Sequence, residues 1–211
     1  MMLKDTPLHM NTLAKLTGNY HAMMLFTFFV AWLMGIGEHV KAPEIPAGDN
    51  SASRKRLRPV NLTDFPLLLR ILTPVLKASV CKRSIHALQE CMEALSGVGY
   101  LDNSENEAIN IASLYRDCCV DSIWEGTTDV LAGDTVRILK GRNSEEVLGA
   151  TDRWITKSLN EGTALESVLG NAKRMISQAW RILRDELQSN NVEDLLPSGR
   201  DHLFKIADIV M

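Results

Sequence analysis

The chain has 211 residues, of which 45% are hydrophobic and 23% charged, and its formal net charge is -3 at neutral pH. That composition belongs to a packed globular protein and excludes a disordered tail. The slightly acidic total excludes a general attraction to polyanions, so binding to nucleic acid or to a membrane surface would need a local cationic patch.

Almost nothing alternates with period two, whereas long segments place apolar residues three and four apart. The pattern predicts an all-α helical bundle. No charged-then-apolar order of a secretory signal opens the chain. A first helix is expected over 8–35, and the run over 22–37 carries no charge. This run is shorter than the about 20 apolar residues of a membrane span, and it continues a helix that carries Lys15, Asn19 and His21. The expectation is a helix buried on most sides, in a bundle or at a subunit contact, with no membrane span.

A loop is predicted over 38–62, where KAPEIPAGDNSAS combines two prolines with a polar run. It holds the one dense basic run, Arg54, Lys55, Arg56 and Arg58, which reads as a solvated loop or as a set of phosphate contacts. A long helix over 64–95 follows, with Thr63 or Asp64 as N-cap and Pro66 in the first turn, where a missing N–H costs nothing. Pro74 lies inside it and should kink it. Ser96-Gly-Val-Gly-Tyr100 then ends the helix; its two glycines allow either a helix stop or a close approach of ligand to backbone. Without a preceding strand, G-x-G is no dinucleotide fingerprint.

After a short helical turn expected over 107–115 comes Trp124-Glu-Gly-Thr-Thr128, which opens a helix over 128–140 ended by Gly141. Val130, Leu131, Ile138 and Leu139 are expected to face the core. Residue types leave the opening of this helix with two readings. In one, Thr127 or Thr128 is an N-cap and Glu125 an exposed loop acid. In the other, unpaired N–H groups, hydroxyls and the helix dipole form a site for an anionic or polar group. There Glu125 beside Trp124 would become a better proton acceptor if withdrawn from water.

Two or three further helices fill the remainder. Thr163-Ala-Leu-Glu166 is a capping-box pattern, followed at helical spacing by Leu165, Val168, Leu169, Ala172, Ile176, Ala179 and Leu183. The residues 200–211 read as a helix interrupted in mid-pattern, as in a fragment. Cys81, Cys91, Cys118 and Cys119 form no C-x-x-C pair, and the five histidines form no i, i+4 pair. Reduced thiols in an intracellular protein, with no metal, are the expectation.

The ordered set Ser96-Gly-Val-Gly-Tyr100, Leu114-Tyr-Arg-Asp117, Ile123-Trp-Glu-Gly-Thr-Thr128 and Val136-Arg-Ile-Leu139 resembles the GGxGY, RD and (Y/W)EGT elements of the acyl-CoA dehydrogenase family. Leu72-Thr-Pro-Val-Leu-Lys77, Cys81-Lys-Arg83 and Cys91-Met-Glu-Ala-Leu95 resemble one branch, the alkylation-response flavoproteins. The resemblance implies the family's C-terminal helical bundle over 1–143, with additional helices over 144–211. It implies an oxidoreductase acting on the CH–CH group of an acyl-CoA, in which Glu125 takes the α-proton and the β-hydride passes to FAD. Such a base requires a dry pocket and no firm ion-pair partner.

By the same resemblance, Trp124 lies beside the flavin and Gly126 leaves room for the thioester against the backbone. Thr127, Thr128 and Asp129 fall on the FAD-contacting stretch. Gly97 and Gly99 form the turn that approaches the FAD of a neighbouring subunit, which implies a homo-oligomer, a dimer or tetramer. Three departures stand out. Ser96 replaces the first glycine of GGxGY, the stretch 103–111 is longer than usual, and the family's R-x-x-F-G segment and β-domain do not occur within these 211 residues. The chain alone is therefore not expected to turn over acyl-CoA. Two alternatives accompany this reading. One is a DNA-protecting flavoprotein using Arg54, Lys55, Arg56 and Arg58, with Lys82 and Arg83; the other is a structural module that assembles through 22–37.

Overall fold

The computed structural model describes residues 3–39, 60–61, 63–102, 110–161 and 166–211. Nine α-helices are described: α1 (Pro7–His39), α2 (Phe65–Ala94), α3 (Gly97–Tyr100), α4 (Ile111–Asp121), α5 (Thr128–Lys140), α6 (Ser144–Glu161), α7 (Glu166–Ser189), α8 (Val192–Leu195) and α9 (Gly199–Val210). No strand occurs among the described residues, in agreement with the all-α expectation. The basic run Arg54, Lys55, Arg56 and Arg58, the longer segment over 103–109 and the Thr163 capping box lie outside the described residues.

Helix α2 is the axis of the bundle and packs against α1, α3, α4, α5, α6 and α9. Leu68, Ile71, Leu72, Val75 and Ala78 are buried along it, at the three- and four-residue spacing that keeps them on adjoining faces. Pro66 sits in the first turn as expected, and the helix runs through a buried Pro74 without interruption. The cap differs from expectation. Asp64 occupies the N-cap position, but its carboxylate makes no cap bond. It accepts from Arg153 Nε at 2.9 Å and Nη2 at 2.7 Å, and from Asn61 at 3.3 Å. The Arg153 guanidinium, reaching over from α6, holds the buried Asp64 carboxyl below the usual carboxylate range, against the opposing effect of desolvation.

Helix α1 is not buried on most sides. Met23, Phe26, Val30 and Leu33 form one buried stripe, while Leu25, Phe28 and Met34 face outward. By length and composition alone α1 could cross a membrane, and its one buried stripe packs on α2. The predicted turn over 107–115 is instead the longer α4, opened by Asn110, whose side chain accepts from the Ser113 amide at 3.0 Å.

Helix α5 has the predicted bounds, but Val130 is 58% exposed. Its inward residues are Ala132, Thr135, Val136, Ile138 and Leu139, because α9 packs on this side and brings Gly199 against Ala132 and Val136. On α7 the expected apolar face is only partly used. Leu169 and the alanines at 172 and 179 are exposed, whereas Trp180, Leu183 and Leu187 are buried. Trp180 is drawn inward by a bond from Nε1 to Asp152 on α6 at 2.9 Å, a contact that no periodicity encodes. Trp154 stacks on Phe29 with centroids 5.0 Å apart, joining α6 to α1. From Phe26 to Ala207 the buried residues form one continuous core.

Candidate functional site

Three contacts trace how α4 and α5 run back along α2. The Cys81 thiol of α2 donates to the Asp121 carbonyl, at the end of α4, at 3.4 Å. One turn earlier, Lys77 donates to the Trp124 carbonyl at 2.8 Å and to the Gly126 carbonyl. Two turns earlier again, Arg70 pairs bidentately with Asp134 of α5 at 3.0 and 3.1 Å. The Trp124-Glu-Gly-Thr-Thr128 turn is thus laid across the middle of the bundle axis, just beyond Pro74.

The turn is built from two left-handed residues. Glu125 has φ 53° and Gly126 has φ 106°. Gly126 suits that conformation, having no Cβ, whereas a glutamate there is uncommon and marks a position held by its surroundings. Trp124 closes α4 by bonding its amide to the Val120 carbonyl at 3.2 Å, and Leu131 bonds the Thr127 carbonyl at 3.0 Å to begin α5. Between these two bonds the chain passes from α4 to α5 without reversing, both helices running in the same sense along α2, and the side chain of Glu125 stands exposed on the turn.

Glu125 is not withdrawn against the indole in this chain: Trp124 is 59% exposed and Glu125 is open to solvent. No hydrogen bond or ion pair reaches the Glu125 carboxylate among the described residues. Thr127 is the N-cap residue by backbone conformation, but its exposed hydroxyl makes no cap bond. Its neighbour Thr128 is buried, so its hydroxyl is not open to a ligand as that of Thr127 is. Asp129 pairs with Arg200 of α9 at 3.2 Å. The first amides of α5 have no carbonyl partner within the helix and carry the positive end of its dipole.

Ser96-Gly-Val-Gly-Tyr100 is not brought to this turn. It lies at the far end of α2, about 27 Å along the helix from Lys77 at 1.5 Å per residue. A Cβ on Gly99 would sit 2.3 Å from the Met92 carbonyl oxygen, so close packing of α3 on α2 requires this glycine, whereas nothing lies within 4 Å of a Cβ on Gly97. The two glycines therefore differ: Gly99 makes the helix stop, and Gly97 fronts open space.

Of the cations considered for phosphate contacts, Arg83 is held by Asp208 of α9. Sequence reasoning missed Lys77, since a lysine on an amphipathic helix has no mark that separates a backbone ligand from a solvated side chain. Its place in Leu72-Thr-Pro-Val-Leu-Lys77 was the one available signal. The four cysteines are free and half-buried. Desolvation raises the Cys81 and Cys118 thiols above their ordinary range.

The description of the acyl-CoA dehydrogenase C-terminal domain matches residues 57–139. Acyl-CoA dehydrogenase family member 11 of Caenorhabditis elegans is 30% identical over 182 residues, 82% of this chain and 26% of that protein. The putative acyl-CoA dehydrogenase AidB of Escherichia coli strain K12 is 40% identical over 73 residues, 35% of this chain and 13% of that protein. Among solved structures, C. elegans ACDH-11 in complex with C11-CoA superposes with a TM-score of 0.77 at 28% identity, covering 98% of this chain and 32% of that one. The apo form of Bd2924 superposes with a TM-score of 0.68 at 30% identity, covering 100% of this chain and 34% of that one. The chain thus spans between 13% and 34% of the proteins it resembles. With the matched segment running from the start of α2 to the end of α5, and the structural likeness extending over the whole bundle, the chain belongs to the acyl-CoA dehydrogenase family, whose C-terminal helical domain it carries.

Proposed function

We propose that the chain is the C-terminal helical part of an FAD-dependent acyl-CoA dehydrogenase-like oxidoreductase, with Glu125 as the acceptor of the α-proton of an acyl thioester. The observation that carries this reading is the carboxylate of Glu125, unpaired and exposed at the apex of a turn tied to the bundle axis. A base without a counterion keeps its affinity for the substrate proton. A related protein crystallised with C11-CoA supports the ligand class.

The residues around the turn fit one edge of a flavin. The free amides at the start of α5 and the uncommitted Thr127 hydroxyl supply donors, and Trp124 presents a largely exposed indole. Asp129 is the exception, because Arg200 already engages it. When bound, FAD supplies the acceptor for the β-hydride. Glu125 takes the α-proton as the C–H electrons move toward the α,β double bond, and it later returns that proton to water. Gly126, lacking a Cβ, lets the thioester lie against the turn.

Because Glu125 stands in water here, the dry surroundings that proton abstraction needs would come from groups beyond this chain, and the isolated 211 residues are expected to show no turnover. The distance between the two turns supports a homo-oligomer in which Gly97 serves the flavin of a neighbouring subunit.

The test is Glu125→Gln in a protein extended through the upstream coding sequence. Acyl-CoA oxidation should fall about 10²–10⁴-fold while the visible flavin spectrum is retained. Oxidation at the parental rate, or a parental protein without flavin, would sink the proposal.

A further inference from the structure

We infer that Lys77 is the positioning residue of the Glu125 turn, tying down the carbonyls on either side of the base and so aiming its carboxylate. The inference rests on the reading of Glu125 as the base. The chain between α4 and α5 has no regular backbone bonding of its own at the apex. Trp124 gives the last bond back to α4, Thr127 accepts the first bond of α5, and two left-handed residues lie between them. A left-handed glutamate is disfavoured and persists only where its surroundings over-determine it.

The Lys77 ammonium meets that need from outside the turn. It donates to the carbonyls of Trp124 and Gly126, the residues on either side of Glu125. A lysine has three donors on a compact charge that rotates freely, which suits two carbonyls pointing in different directions. The stem of Lys77 leaves α2 between Val75 and Ala78, both fully packed in the core, so the anchor is rigid.

Equally important is what the ammonium does not touch. Neither a hydrogen bond nor an ion pair joins Lys77 to the Glu125 carboxylate. An ammonium paired with the carboxylate would stabilise its charged form and weaken it as a base. Directed at neutral carbonyls, the same cation fixes the backbone and leaves the side chain free to take a proton.

Two measurements test the inference. On the 211-residue chain, hydrogen exchange at the Trp124 and Leu131 amides, which make the bonds on either side of the turn, should be about tenfold faster in Lys77→Met, the effect of losing roughly one charge-assisted bond. Lys77→Arg, which keeps a cation with several donors, should restore most of the protection, and the amides of α2 should be unchanged in both. In the extended protein, Lys77→Met should lower kcat about 10²-fold with little change in KM, the signature of a misplaced reacting group, and Lys77→Arg should recover part of the loss. In a Glu125→Gln background, the Lys77 substitution should add nothing.

Unchanged exchange at the Trp124 and Leu131 amides in Lys77→Met would overturn the inference. So would an equal loss of kcat with and without Glu125. A Glu125→Gln protein that oxidises acyl-CoA at the parental rate would instead defeat the reading of Glu125, and loosening of the turn in Lys77→Met would then still mark Lys77 as its anchor.

Discussion

At the scale of single residues, two backbone conformations carry most of the information. Ser96 has φ 57° and ψ -147°, a region populated almost only by glycine. The family's motif has glycine at this position, and the cost of the substitution lies in the dihedral more than in the added hydroxymethyl group. Ser96→Gly should therefore stabilise the chain by about 1 kcal/mol, read as a higher urea midpoint at constant slope. Glu125→Gly should act in the same direction, by about 0.5–1 kcal/mol, while removing the proposed base. Gly126→Ala should cost about 1 kcal/mol or more, since a Cβ is disfavoured at φ 106°. Neither positive-φ non-glycine was legible in the sequence: serine and glutamate ordinarily avoid positive φ, and the Glu125 turn is anchored by Lys77, 47 residues from Trp124. Cys81 and Cys118, pushed toward the protonated thiol by burial, should react with iodoacetamide at neutral pH more slowly than a free cysteine.

At the scale of elements, punctuation was readable and faces were not. The start of α5 after Gly126, its end at Gly141 and the stop of α2 before Gly97 all follow from local chemistry that acts within a few residues. Asp64 looked like a cap because its residue type and place before Pro66 are those of a cap. Its carboxylate goes to Arg153, 89 residues away, because a bidentate charged partner outcompetes a backbone amide. This pair has a pH signature. The Asp64 carboxyl is held below its unfolded value of about 4, so its contribution is fully present above that pH and is lost as pH falls through the folded value. Between about pH 6 and about pH 3, the urea midpoint of the parental chain should drop more than that of Asp64→Asn. Equal drops would show that the pair contributes nothing.

At the scale of the whole molecule, the helices beyond residue 143 share the core of those before it. Leu203 of α9 is fully buried where α9 packs on α2 and α5. Although it lies outside the segment matched to the family, Leu203→Ala should cost about 2–5 kcal/mol and lower a single cooperative urea transition, as for any buried leucine in a common core. A separate early transition for α6 to α9 would contradict a shared core.

The sequence by itself determined the helical class, the bounds of α5, the break after α2 and the family, because period, capping and motif order are all written in neighbouring residues. Tertiary structure alone decided which faces of α5 and α7 turn inward and that α1 buries one stripe. It also decided that the Gly97 turn lies far from Glu125 and that Lys77 holds the carbonyls on either side of Glu125. These features depend on contacts between residues 28 or more positions apart, and a chain encodes such contacts only through the shape that all its helices reach together.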